Sequence, residues 1–111
     1  MERKVRFTKA ARQDLEEIYY WIAGHDAPAK AEYVLDRLSA AAQRMAALPG
    51  AGSRPRELPT GVKGDYRQVF FKPYRVIYRV TPAEIVIHLI ADGRRNLNAL
   101  LLQRLTSDQA E

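Results

Sequence analysis

The chain contains no cysteine, which excludes a disulfide framework, a thiol nucleophile and a zinc–thiolate centre together. A reducing cytoplasm fits that composition. Histidine is nearly absent too: His25 and His88 stand alone, without the spaced carboxylates of a metal site. There is no long apolar run. The longest, Ile85 to Ala91, is broken by His88 and falls far short of the roughly 20 residues that span a bilayer. The opening Met1 to Phe7 is charged with no apolar core, so it is not expected to be a signal peptide. No Gly-x-Ser-x-Gly elbow occurs, and Gly50-Ala51-Gly52-Ser53 lacks the lysine of a phosphate-binding loop. Repeats and low-complexity tracts are missing as well. The expectation is one soluble, cytoplasmic domain over residues 1–111, with no cofactor, no metal and no membrane contact.

What the chain does have is enough apolar residue for a core and an excess of arginine. Its 111 residues are 47% hydrophobic and 28% charged, which suits one domain burying about two-thirds of its unfolded surface. Eighteen Lys and Arg oppose 13 Asp and Glu, a net charge of +5. Residues 1–48 carry +1 of it and residues 49–111 carry +4. Thirteen of the 18 basic residues are arginine, a side chain suited to bidentate contact with phosphate or carboxylate. A polyanionic or acidic partner is consistent with that balance.

Periodicity predicts the elements. Lys4-Val5-Arg6-Phe7 alternates as a short half-buried strand does. Thr8 is placed to cap a helix whose face carries Ala11, Leu15, Ile18 and Ile22, ended by Gly24-His25-Asp26. Asp26 and Pro28 start a second helix with the stripe Ala31, Leu35, Leu38, Ala42 and Met45, stopped by Leu48-Pro49-Gly50. So short a link makes an antiparallel αα-hairpin. Residues 49–65 hold four of the six glycines and three of the six prolines. They are expected to run over the surface with at most a short extended piece at Arg56-Glu57-Leu58. Three strand-like runs follow, Tyr66–Phe71, Tyr74–Val80 and Ile85–Ala91, joined by turns short enough only for hairpins. Asn96 or Asn98 caps a short last helix bearing Leu97, Leu100, Leu101 and Leu105. The fold class is α+β: a short N-terminal strand, the αα-hairpin packed on a mainly antiparallel four-stranded sheet, and a short C-terminal helix. Helices segregate to one face of the sheet in such a domain.

The ordered set of features resembles the RelE/ParE superfamily of bacterial type II toxins, most closely its ParE branch. It comprises Ala11 and Asp14 to Ile18, Leu48-Pro49-Gly50-Ala51-Gly52, Tyr66-Arg67, Tyr74 to Val80, and Asp92-Gly93-Arg94-Arg95 before a leucine-rich helix. The resemblance covers nearly the whole chain. It implies a toxin of a toxin–antitoxin system, useful for plasmid stabilisation or growth arrest. The partner implied is a cognate ParD-like antitoxin whose tail folds on the toxin. The ParE branch implies a DNA gyrase inhibitor that traps the cleaved-DNA state by binding. The RelE branch implies a ribosome-dependent mRNA endonuclease, and a non-toxic antitoxin-binding remnant is a third possibility.

Nuclease chemistry needs a base for the 2′-OH, an acid for the leaving oxygen and cations for the phosphorane. The candidates here are Glu57, Arg75 and His88, but no Tyr or His follows residue 88 to match the terminal residue of RelE-like nucleases. His88 would share a strand face with Asp92 if the strand is regular, and Glu57 in its Pro-rich loop is expected to be solvated. The binding reading rests on arginines: Arg67, Arg75, Arg79, Arg94 and Arg95 are candidates for one anionic target. Arg75 and Arg79 share a face opposite Tyr74, Val76, Tyr78 and Val80. Tyr19, Tyr20 and Trp21 are consecutive on a helix and cannot all point inward, which makes them candidates for the antitoxin surface. Packing in the fold is the more ordinary expectation for Tyr19 and Trp21.

Overall fold

The computed structural model describes residues 2–108. Strand β1 (Lys4–Phe7) leads into helix α1 (Lys9–His25) and helix α2 (Pro28–Ala47). After a 3-10 turn at Pro49–Ala51 and a long connector come β2 (Asp65–Phe71), β3 (Tyr74–Val80), β4 (Glu84–Asp92) and α3 (Asn98–Asp108). The sheet order is β1-β4-β3-β2; β1 runs parallel to β4, and the other two pairings are antiparallel.

The helix starts follow local chemistry. Buried Thr8 accepts the Ala11 N–H at 3.1 Å, as an N-cap should. At α2 the N-cap is Ala27, with no side-chain cap, while Asp26 closes α1 and pairs with Lys30. Pro28 alone therefore marks that start. Within α2, Val34 takes the core position and Leu35 is only half-buried. Asn96 accepts the Asn98 N–H at 3.0 Å, which gives the first free amide of α3 a partner.

Two cores result. Tyr78, Val76, Ile85, Ile87 and Ile90 meet the αα-hairpin on one face of the sheet. Ile77, Leu89 and Ala91 meet Leu97, Leu101 and Leu105 on the other. The expectation that all helices lie on one face is therefore corrected for α3. Alternation along β3 gives each face its own apolar set, and α3 carries the stripe that covers the second.

The connector differs from its expected course. Residues 56–57 form a turn rather than an extended piece, and Ser53 instead bridges to β2 through Ser53 N to Gln68 O (3.1 Å) and Gln68 N to Ser53 O (2.7 Å). Gly52 permits that approach. A Cβ there would sit against the Tyr78 hydroxyl and 2.7 Å from the Gln68 carbonyl oxygen. Gly52→Ala should cost about 1–3 kcal/mol, because the obstacles are backbone and a buried phenol that cannot swing away. Urea unfolding of the two proteins checks this, with Gly50→Ala, where a Cβ meets nothing, as the control.

Candidate functional site

Arg75 is the centre of the α3-side face. Its guanidinium takes both oxygens of Glu57, Nη1 to Oε2 at 2.5 Å and Nη2 to Oε1 at 2.8 Å. Nε donates to Gln68 Oε1 at 3.0 Å, and Nη2 reaches the same oxygen. The two charged side chains are only 7% and 8% exposed. Glu57 is thus buried and paired, not solvated. The turn at 56–57 carries it over β3, where the neighbouring Leu58 packs on the second core. The Arg75 hydrogen bond holds the Glu57 carboxyl below its ordinary range, against the opposing effect of burial. The stem of Arg75 lies on Gly93, where a Cβ would stand 2.9 Å from Arg75 Cγ.

The five arginines do not share one surface. Arg67 pairs across from Tyr78 and so belongs to the hairpin side of the sheet, the face opposite Arg75. It is tied to Asp65 (2.9 Å) and to the carbonyls of Gly50 and Gly52. Arg79 does share the Arg75 face, but Ile77 lies between them under the leucines of α3. Arg94 and Arg95 do join Arg75, around a cleft of about 510 Å³ that also includes Arg56 and Asn96. Arg94 grips Asp92 through Nη2 to Oδ2 at 2.6 Å and Nε to Oδ1 at 3.0 Å. That hydrogen bond is the main reason the Asp92 carboxyl is held down to about 2.

His88 is not in that cleft. Ile77 pairs with Leu89 while Tyr78 pairs with Ile87, so His88 is the extra residue of a β-bulge. The bulge overturns the expected shared face with Asp92, which pairs beside Tyr74 toward the hairpin. His88 Nδ1 instead sits 2.7 Å from Asp108 Oδ2, with both side chains buried. Arg79 Nε donates to His88 Nε2 at 3.4 Å. Since Arg can only donate, Nε2 is the acceptor and Nδ1–H donates to Asp108.

Of the aromatic trio, Tyr19 packs against the first core, while Tyr20 and Trp21 are 72% and 63% exposed. Trp21 was expected to pack; its ring lies instead on His25, with centroids 4.3 Å apart. Beside it, Ile18, Tyr74, Ile90 and Arg95 help line a cleft of about 460 Å³ between α1 and the ends of β3 and β4.

A family model for the ParE toxin of the parDE type II toxin–antitoxin system matches residues 5–97. Toxin ParE3 of Caulobacter vibrioides is 31% identical over 101 residues, 91% of this chain and 96% of that one. A solved structure of the chromosomal ParDE system from P. aeruginosa superposes with a TM-score of 0.68 at 26% identity, covering 82% of this chain and 96% of that one. The chain belongs to the ParE toxin family. It is the toxin side of a type II toxin–antitoxin pair, so an antitoxin is its partner.

In this ParE toxin no group of three or more His, Asp or Glu among the described residues is placed to hold a metal. No helix among them is long and apolar enough to cross a membrane. Two ties escaped the sequence reading. Arg104 on α3 chelates Asp14 on α1 (2.8 and 3.0 Å), and Asp108 holds His88. Asp14 stands three residues after Ala11 and four before Ile18, on the apolar face of α1, and that spacing was the available signal.

The His88 pair predicts a pH dependence. Burial pushes the imidazole below its ordinary value of 6.5, outweighing the raising effect of Asp108. The folded state therefore binds this proton less readily than the unfolded chain. The stabilisation is complete above 6.5 and is lost as pH falls below it. Urea midpoints of the ParE toxin at several pH values should decline across that window. His88→Gln should remove that part of the slope; an unchanged slope would assign it to other groups.

Proposed function

We propose that this ParE toxin inhibits DNA gyrase by binding it and trapping its DNA-cleaved state, and that a ParD-like antitoxin neutralises it. The observation that carries the binding reading is the state of Glu57. Both of its oxygens are occupied by the Arg75 guanidinium and its carboxyl is lowered, which makes it a poor proton acceptor. His88 lies in a separate pocket with Arg79 and Asp108, so no acid and base converge on Arg75. The endonuclease reading asks Glu57, Arg75 and His88 to act together, and their separation counts against it.

Within this proposal Arg94 and Arg95 face the target, and Arg75 shapes the surface from beneath. Arg67 and Arg79 are assigned to the fold. Tyr20 and Trp21, with the cleft beside Ile18 and Tyr74, are assigned to the antitoxin. Exposed Trp21 at the rim of a partly apolar cleft, with exposed Tyr20 next to it in the chain, is the composition that anchors a folding tail.

The test mixes antitoxin-free protein with gyrase, ATP and relaxed plasmid. Lost supercoiling with trapped linear DNA, reversed by the cognate antitoxin, is the expected result. No effect at large molar excess, together with cleavage of ribosome-bound mRNA, would transfer the activity to the RelE type. Neither activity, with the antitoxin complex still forming, would identify a non-toxic remnant.

A further inference from the structure

The 13 arginines divide sharply by what they hold. Eight have a side-chain partner inside the fold; Arg37, Arg44, Arg54, Arg56 and Arg95 make no side-chain hydrogen bond or ion pair among the described residues. Three of those five gather at one place. Arg56 and Arg95 line the cleft beside Arg75 described above, and Arg54 and Arg56 line a second, of about 390 Å³, on its other side. Arg56, Arg75 and Gly93 belong to both, so the two form one trough across the α3-side face. Among the described residues the only carboxylate lining it, Glu57, is held by buried Arg75, so Arg54, Arg56 and Arg95 bring positive charge to the trough without an ion pair of their own.

In the same trough stands Phe70. It is 59% exposed on β2, and the Arg75 guanidinium carbon lies 6.0 Å from its ring centre. Burial in the sheet would have been available to a residue one position along, since Val69 and Phe71 both pack on the first core. An aromatic face held open among unpaired arginines suits a nucleic-acid strand: phosphates meet guanidinium groups and a base lies on the ring. An acidic peptide would need an apolar side chain set among its carboxylates to use the ring, whereas every nucleotide carries a base.

We propose that this trough binds single-stranded DNA directly, with a base on Phe70 and the backbone on Arg54, Arg56 and Arg95. The proposal rests on the gyrase reading for its biological setting: the toxin would grip the opened DNA as well as the enzyme. Its test uses no gyrase, so the two can fail separately.

Fluorescence anisotropy of the purified toxin with a labelled 15-nucleotide DNA strand, titrated across salt, is the measurement. Phe70→Ala changes no charge and should weaken binding roughly 10-fold with the salt slope intact. Arg54→Ala/Arg56→Ala should lower the slope of log affinity against log salt by about 1.4, near 0.7 per lost phosphate contact. Arg37→Ala/Arg44→Ala removes the same charge from the exposed side of α2 and should change little. An equal loss in that control, or no loss in Phe70→Ala, would reduce the binding to the attraction of any cation for DNA and overturn the proposal. Tighter binding of duplex would remove the stacked base, and tighter binding of RNA of the same sequence would replace the occupant. Circular dichroism of each variant confirms that it is folded.

Discussion

Glu57→Ala should destabilise the protein by about 3–5 kcal/mol, a fall of roughly 10–20 °C in the thermal midpoint. The size follows from what is left behind. Arg75 is 7% exposed, and without Glu57 its guanidinium keeps only the Gln68 oxygen while remaining buried and charged. Removing one partner of such a pair costs far more than the pair itself contributes. Glu57→Ala/Arg75→Leu should therefore recover much of the loss, because the double change leaves no orphaned charge. A double variant as unstable as the single one would place the cost in the turn at residues 56–57. Acid titration gives a second check. The Glu57 carboxyl is lowered in the fold, so its contribution is complete above the ordinary value of 4.5 and is lost as pH falls through the lower folded value. Glu57→Gln should flatten that part of the acid limb.

The same pair decides which charge reversals can test toxicity. Arg75→Glu would set a second carboxylate against Glu57 in a buried site and unfold the protein, so lost toxicity there would say nothing of a target. Arg95→Glu lies at the exposed rim and changes only the surface. Any claim about the target is better drawn from the rim.

The elements were legible where the signal is local. Thr8, the four-and-three spacing of α1, and the alternation of Tyr74 to Val80 each report on neighbours within a few residues, and each is found in place. What could not be read is what joins distant segments. Glu57 and Arg75 are 18 residues apart, His88 and Asp108 are 20 apart, and Asp14 and Arg104 are 90 apart. Nothing in their own surroundings marks them as partners. The bulge at His88 is similar, since one inserted residue leaves the strand-like run from Ile85 to Ala91 continuous in sequence while turning the side chains beyond it to the other face. Arg67 misled for a related reason. It was grouped with Arg75 by residue type, whereas the register of β2 against β3 puts the two on opposite faces.

The second large effect belongs to Asp14. Strand β1 ends at Phe7, opposite Ile87, while β4 continues to Asp92, so the edge of β4 beyond that point has no neighbouring strand. Asp14 Oδ2 accepts the Ile90 N–H at 2.9 Å, and Arg104 donates to the His88 carbonyl at 2.6 Å. The two side chains then chelate each other at 2.8 and 3.0 Å, each about 11–12% exposed. An acid from α1 and a base from α3 thus stand where a strand would, and they tie helices from opposite faces of the sheet to its edge. Asp14→Ala leaves the part-buried Arg104 guanidinium with only the His88 carbonyl and takes the acceptor from the Ile90 N–H, and should cost about 3–5 kcal/mol. Asp14→Asn keeps an acceptor for Ile90 but loses the ion pair, so it should fall between that variant and the parent. Hydrogen exchange locates the effect. The Ile90 amide should lose protection in Asp14→Ala well beyond the loss at β3, and should keep part of it in Asp14→Asn. Equal loss across the whole sheet in both variants would mean that the pair only adds to global stability. The edge itself would then be held by packing against α1.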